Sequence, residues 1–151
     1  MLSRAFLLDV VGTALSPRGA AFAVVDFARG RGENKLYATR ADGRITLVAR
    51  SRLGSNMFQT SPTFRRGVLY WGASDLAATP AAGHVLRCRD HRVRAAPTDG
   101  TVTSVAADPV AGGAPLLVSL RMDAGAAQVA TLRPAGWGAL PRDVIVRRCP
   151  F

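Results

Sequence analysis

Apolar residues along this chain come in short runs, each closed by glycine, proline or aspartate. The clearest are FLLDVVGTAL from Phe6, AAFAVVDF from Ala20, RITLVAR from Arg44, GVLYWGAS from Gly67, TVTSVAAD from Thr101 and PLLVSLR from Pro115. Valine, isoleucine, phenylalanine and tyrosine cluster in them, several alternate with polar residues, and no amphipathic helical pattern ten residues long appears. That combination predicts β-strands joined by turns.

The runs recur in a fixed order. ALSPRGAAFAVVDF from Ala14, QTSPTFRRGVLYWGAS from Gln59 and SVAADPVAGGAPLLVSL from Ser104 each place a proline near a turn, then a glycine, then a strand. The prolines are Pro17, Pro62 and Pro109, and the glycines are Gly19, Gly67 and Gly113. The strands centre on Val24, Tyr70 and Val118, about 46 to 48 residues apart, a spacing in the range of propeller blades. Downstream, KLYATR from Lys35 corresponds to HVLRCR from His84 and QVATLR from Gln128. Asp42-Gly43 then supplies a hairpin turn into a further strand, and Arg89-Asp90-His91 does so with less favourable residues. Each unit therefore reads as four antiparallel strands, with the second, nearly continuous in apolar residues, buried on both faces between stacked sheets. The units span residues 5–50, 56–97 and 101–148 approximately, within one 1–151 segment.

This pattern resembles the TolB-type β-propeller repeat. In the first unit the matching positions are Ser16, Pro17, Gly19, Leu36, Tyr37, Asp42, Gly43 and Leu47; the second keeps Ser61, Pro62 and Gly67, and the third has Asp108-Pro109 in place of Ser-Pro. Arg18 and Ala20 stand where the family's turn commonly has aspartate and lysine. The resemblance implies a partial propeller of three blades, a protein-binding role and an extracytoplasmic setting. A β-sandwich is the alternative architecture. Propellers typically close with four to eight blades, so three leave two faces open. The expectation is half of a six-bladed ring, completed by further blades of a longer product or by self-association.

Composition narrows the class. The 151 residues are 48% hydrophobic and 20% charged, with no apolar run of the roughly 18 to 20 residues a membrane span needs. The start, MLSRAFLLDVVGTALSPRGA, imitates a signal peptide, but Asp9 interrupts its apolar stretch and the same residues serve the first strand, so no cleaved leader is expected. The net charge is +10, carried almost wholly by arginine, with Lys35 the one lysine. Arginine grips carboxylates and phosphates bidentately, and together with abundant alanine and glycine it is also what a GC-rich coding bias produces. Cys88 and Cys149 are too few for a disulfide scaffold or a four-cysteine zinc site; they are expected to be free thiols, with pairing the alternative in an oxidising compartment, and the sequence alone does not place them within bonding reach.

Candidate chemistry is sparse. His84, Cys88 and His91, with Cys149, have metal-binding side chains, but on a strand His84 and Cys88 stand about 13 Å apart, too far to share an ion. No metal or other cofactor is expected; Cys88 packs inward beside Leu86, and His91 sits on the turn. Both histidines lie on one hairpin and no Gly-x-Ser-x-Gly motif occurs, which leaves a Ser-His-Asp triad unsupported. GRGENK, from Gly30 to Lys35, lacks the spacing of a phosphate-binding loop and reads as a connection between strands.

The hairpin HVLRCRDHRVRAA places Arg87 and Arg89 opposite Leu86 and Cys88, with Arg92 and Arg94 flanking Val93 on the return. This basic patch suits an acidic protein, an anionic glycan or a nucleic acid, and it is also what a solvated outer strand looks like. Nucleic acid is the least favoured, because phenylalanine and tyrosine are not interleaved with the arginines. Trp71 belongs to the core. Trp137, in PAGWGALP, either plugs a gap between blades or faces a ligand. The expected function is a non-enzymatic interaction module with a protein partner. The alternatives are the propeller portion of a hydrolase or lyase whose catalytic residues lie outside this chain, and a truncated product without function.

Overall fold

The computed structural model describes residues 8–26, 33–107, 116–132 and 135–151. The protein is all-β and antiparallel, with no α-helix among those residues. Sheet 1 is a meander of β1 (Leu8–Ser16), β2 (Gly19–Asp26), β3 (Glu33–Arg40) and β4 (Ile45–Ser51). Sheet 2 contains β5 (Met57–Gln59), β6 (Thr63–Arg65), β7 (Val68–Asp75), β8 (Gly83–Arg89) and β9 (Arg92–Thr98). Sheet 3 contains β10 (Thr101–Ala107), β11 (Leu116–Arg121) and β12 (Ala127–Leu132). A last strand, β13 (Val144–Val146), completes the order. The leader-like start MLSRAFL, Gly30 to Gly32 of the charged loop, and the Pro109 and Gly113 turn lie outside the described residues.

Turn chemistry sets the register of the hairpins. Gly43 adopts φ 76°, which a side-chain-bearing residue rarely tolerates, while Asp42 Oδ1 accepts the Arg44 amide at 3.0 Å. Ser16 Oγ likewise accepts the Arg18 amide at 3.1 Å, so that Ser16 pairs with Gly19 across the first turn. In sheet 2 the strand expected before the proline turn is split: β5 and β6 both pair with β7, on either side of Pro62. Proline has no amide hydrogen to donate to the ladder, and Thr60 bridges the break by donating its amide to Gly72 O at 2.9 Å.

The three sheets stack in order. One core cluster joins sheets 1 and 2, with Ala21, Ala23, Leu36 and Ala38 against Leu69, Trp71 and Leu86. A second joins sheets 2 and 3, with Val85 against Val102, Val105, Val118 and Leu120. β7 is buried on both sides, with Leu69, Trp71 and Ala73 turned one way and Gly72 and Ser74 the other. Polar groups inside these layers are paired. Trp71 Nε1 donates to Gln59 Oε1 at 3.0 Å, and the Gln59 amide donates to Asn34 Oδ1, tying sheet 2 to sheet 1. The Val102 amide donates to Ser74 Oγ at 2.8 Å, tying sheet 3 to sheet 2. Leaving such a buried group unsatisfied costs about 1–3 kcal/mol, so these bonds favour one stacking register over its neighbours.

The last segment departs from the expected plan. A fourth strand for the third unit is absent among the described residues; β13 pairs instead with β4, Val144 opposite Ser51 and Val146 opposite Ala49, as the fifth strand of sheet 1. β4 ends its own meander and offers an unpaired edge, which a short apolar strand satisfies. From there the chain returns over sheet 2, and Arg147 donates its amide to Val48 O at 2.8 Å. This return overturns the expectation of free thiols: Cys149 is disulfide-bonded to Cys88, with their Cα atoms 5.5 Å apart. The two positions are 61 residues apart, so only the tertiary path of the tail brings them within bonding reach.

Candidate anion-binding surface

The β8–β9 hairpin turns at Asp90 and His91, both at positive φ, 50° and 60°. His91 is held there from outside the hairpin: its amide donates to Phe151 O at 2.8 Å, and its Nδ1 lies 3.3 Å from Cys149 O. Cross-strand register then sets Arg87 opposite Arg94 and Arg89 opposite Arg92. Leu86, Cys88 and Ala95 point into the core shared with sheet 1, so period-two alternation turns all four arginines to the other face of sheet 2. They line one open groove of about 380 Å³ together with Asp90. The patch expected from sequence is thus assembled.

Trp137 joins it. The Arg87 guanidinium lies 4.3 Å from the centre of the Trp137 ring, and Tyr70 packs on the same ring at 6.3 Å between centroids. Trp137 also packs against the core between sheets 2 and 3. Of the two roles posed for it, Trp137 fills the packing one, closing a gap between sheets, and its ring also flanks the arginine groove through Arg87. The cation–π contact holds Arg87, while Arg89, Arg92 and Arg94 stay exposed.

Two further grooves follow in series, the first sharing Arg89 and Asp90 with this one and the second sharing Arg18 and Phe151 with the first. The first, about 440 Å³, is lined by Arg18, Arg65, Arg66 and Arg89 with Tyr70 and Phe151. The second, about 590 Å³, lies between Arg18, Arg40 and His91, with Pro150 and Phe151 as its wall. Arg18, noted in the sequence only as a departure from the family's turn, and the Arg65–Arg66 pair were not assigned to the basic patch. Their signal was present, since each sits in the proline–glycine turn that repeats between the first two units.

Charge is segregated along the strands. Asp9, Asp26, Glu33, Asp75, Asp99 and Asp123 sit at one end of the sheets. The turn end carries Asp42 and Asp90 as its acidic residues among those described, against Arg18, Arg40, Arg44, Arg65, Arg66 and Arg89. Of these acids, Asp90 pairs with Arg89 at 3.3 Å, both side chains well exposed. Like charges directly opposite one another across strands repel, and an anion between them relieves the repulsion. Guanidinium forks match carboxylate or phosphate oxygens bidentately. At the acidic end Lys35 sits 2.7 Å from Asp26 and 3.1 Å from Glu33. Burial works to lower its pKa and is the largest single influence, but the two carboxylates together outweigh it and the net shift is upward.

The residues considered for a metal are placed apart from any shared ion site. Cys88 and Cys149 are consumed in the disulfide, His91 turns to the Cys149 carbonyl, and His84 lies on β8 opposite Ala73. Burial lowers the pKa of His84. No protein-family model, curated protein or solved structure matches the chain.

Proposed function

We propose that this chain is a non-enzymatic binding module built of propeller-type blades, similar to the TolB-type repeat, which takes an acidic protein surface on its arginine-rich end. The observation that carries the binding role is the double cross-strand pairing of Arg87 with Arg94 and Arg89 with Arg92 over an open groove, beside a single acidic side chain, Asp90. The blade reading is supported by how the first strands of the sheets lie side by side. Ser61 Oγ donates to Val11 O at 3.3 Å, linking the segment between β5 and β6 to β1, and the Ala107 amide donates to Thr63 Oγ1 at 3.3 Å, linking β10 to β6. The disulfide supports an oxidising compartment, the setting that the resemblance implies.

The test is binding of fluorescein-labelled polyglutamate, followed by anisotropy across a salt series. The wild-type chain binds, and affinity falls as salt shortens the screening length from about 10 Å toward 3 Å. Reversing Arg89, Arg92 and Arg94 to glutamate lowers affinity at least tenfold. Arg87 is left in place because it packs on Trp137. A reversed variant with a native circular dichroism spectrum and unchanged affinity refutes the assignment.

A further inference from the structure

Glycine and alanine are frequent on the face that each of the first two sheets turns toward the next, and large side chains of the next sheet seat on them. Toward sheet 2, sheet 1 turns Gly12, Ala21, Ala23, Ala38 and Ala49 together with Leu36 and Val48, and sheet 2 meets them with Phe64, Leu69, Trp71 and Leu86. Toward sheet 3, sheet 2 turns Gly72, Ser74 and Gly83 together with Val85, and sheet 3 meets them with Val102, Val105, Val118 and Leu120. Both junctions are apolar, and their small residues let the sheets approach closely.

The two outermost faces carry apolar side chains as well. On the side of sheet 3 that no described element covers, alternation and register place Leu117 and Val129 among Ser104, Ala106 and Ser119. On the corresponding side of sheet 1 they place Leu15, Phe22, Tyr37, Ile45 and Leu47, a large apolar face centred on the stacked rings of Phe22 and Tyr37. Leu15 is 83% exposed, Ile45 63% and Val129 73%, so water covers much of what an interior junction would bury.

We propose that a second copy of this chain closes the stack: the outer face of sheet 1 in each copy packs on the outer face of sheet 3 in the other, making two identical junctions about a twofold axis. A dimer of three-sheet stacks has six sheets, within the range over which radial stacks close. Sheet 3 is the smaller face and sets the junction: three strands of six to seven residues are about 14 Å wide and about 21 Å long, or about 300 Å². Two junctions, each with two sides, bury about 1,200 Å², the lower end of the standard range for stable interfaces. Charge does not oppose it. On the sheet 1 face Asp26 and Glu33 are matched by Lys35 and Arg50, with Arg50 3.3 Å from Glu33, so the cluster is neutral and paired before it is covered. The proposal concerns assembly alone, and polyglutamate binding tests the arginine surface independently of it.

The experiment is size-exclusion chromatography with light scattering at about 100 μM chain, well above a micromolar Kd. The wild-type chain runs at twice its 15.9 kDa mass. Leu15→Glu and Val129→Glu block one face each, at side chains exposed enough to leave the fold intact, and each variant alone runs as a monomer. Mixed together they form a dimer through the one junction in which both faces are unmodified. A wild-type monomer, an open-ended oligomer, or a Val129→Glu chain that still dimerises overturns the proposal.

Discussion

Reducing the Cys88–Cys149 bond tests how the fold is held together, and its magnitude follows from where the two residues sit. The bond closes a loop across a sequence separation of 61, for which chain-entropy reasoning gives about 4 kcal/mol of stability. Against a net stability of about 5–15 kcal/mol, typical of single domains, that is a large fraction. Noncovalent contacts of the tail soften the loss: Phe151 packs edge-to-face on Phe64 at 5.2 Å, the His91 amide donates to Phe151 O, and β13 stays paired with β4. The reduced chain therefore remains folded but is weaker by about 3–4 kcal/mol. The assay is urea unfolding of the oxidised and reduced chains, followed by Trp71 and Trp137 fluorescence. With a slope of about 2 kcal/mol per molar urea, the midpoint falls by about 1.5–2 M on reduction. A Cys88→Ala/Cys149→Ala variant should match the reduced chain to within about 1–2 kcal/mol, the extra loss coming from the vacated sulfur volume, and should not respond to reductant. Midpoints that coincide with and without reductant would refute the reasoning, since the loop would then contribute nothing to the unfolded chain's entropy. Reduction should also weaken polyglutamate binding, because Pro150 and Phe151 form the wall of a groove beside Arg18.

Two further predictions concern the interior. At Gly72 an added Cβ would drive into Val102 Cγ1 and come within 3.0 Å of Thr60 Cγ2, so Gly72→Ala should destabilise the chain by about 2–3 kcal/mol in urea unfolding, with partial recovery when Val102→Ala makes room. Burial lowers the pKa of His84 below its ordinary value of 6.5, so the unfolded chain binds the proton more readily than the folded one. The stability this contributes is fully present above pH 6.5 and is lost as the pH falls through the lower, folded-state value. A urea midpoint series from pH 7.5 to about 5 should decline in the wild type and flatten in His84→Gln, and equal slopes in the two would contradict the assignment.

The strands of the first two units were legible because each is encoded locally. Alternation in KLYATR and HVLRCR fixes which side chains face the core, and Asp42-Gly43 fixes one turn by the conformations those residues permit. The arginine patch was legible for the same reason, since Arg87, Arg89, Arg92 and Arg94 fall on one face of one hairpin once its turn is placed at Asp90 and His91. The partner of Cys88, the contact of Trp137 with Arg87 and the destination of Val144–Val146 depend on the path of a tail that touches all of them. Three residues are too few to carry an alternation signal, and what recruits VIV is the free edge of β4, a property of the folded sheet.

The tail explains why a local reading recovers strands and misses how the sheets are joined. It bridges Ala95 of sheet 2 at Gly138, extends sheet 1 with β13, and returns to Cys88 of sheet 2 at Cys149, so its links span elements far apart in sequence. Which face of a sheet meets its neighbour is hidden in a similar way. Any one strand, such as GAAFAVVD, reads as an alternation of Ala21 and Ala23 with Phe22 and Val24, and nothing within it says which set meets the neighbouring sheet. Register across β1, β2 and β3 assigns Ala21 and Ala23, beside Leu36, to the interior of the stack and Phe22, beside Tyr37, to the other face. A face of Phe22, Tyr37 and Leu47 left in water costs the monomer the burial that the two interior junctions obtain. The proposed pairing of two copies rests on recovering that burial at the outer faces.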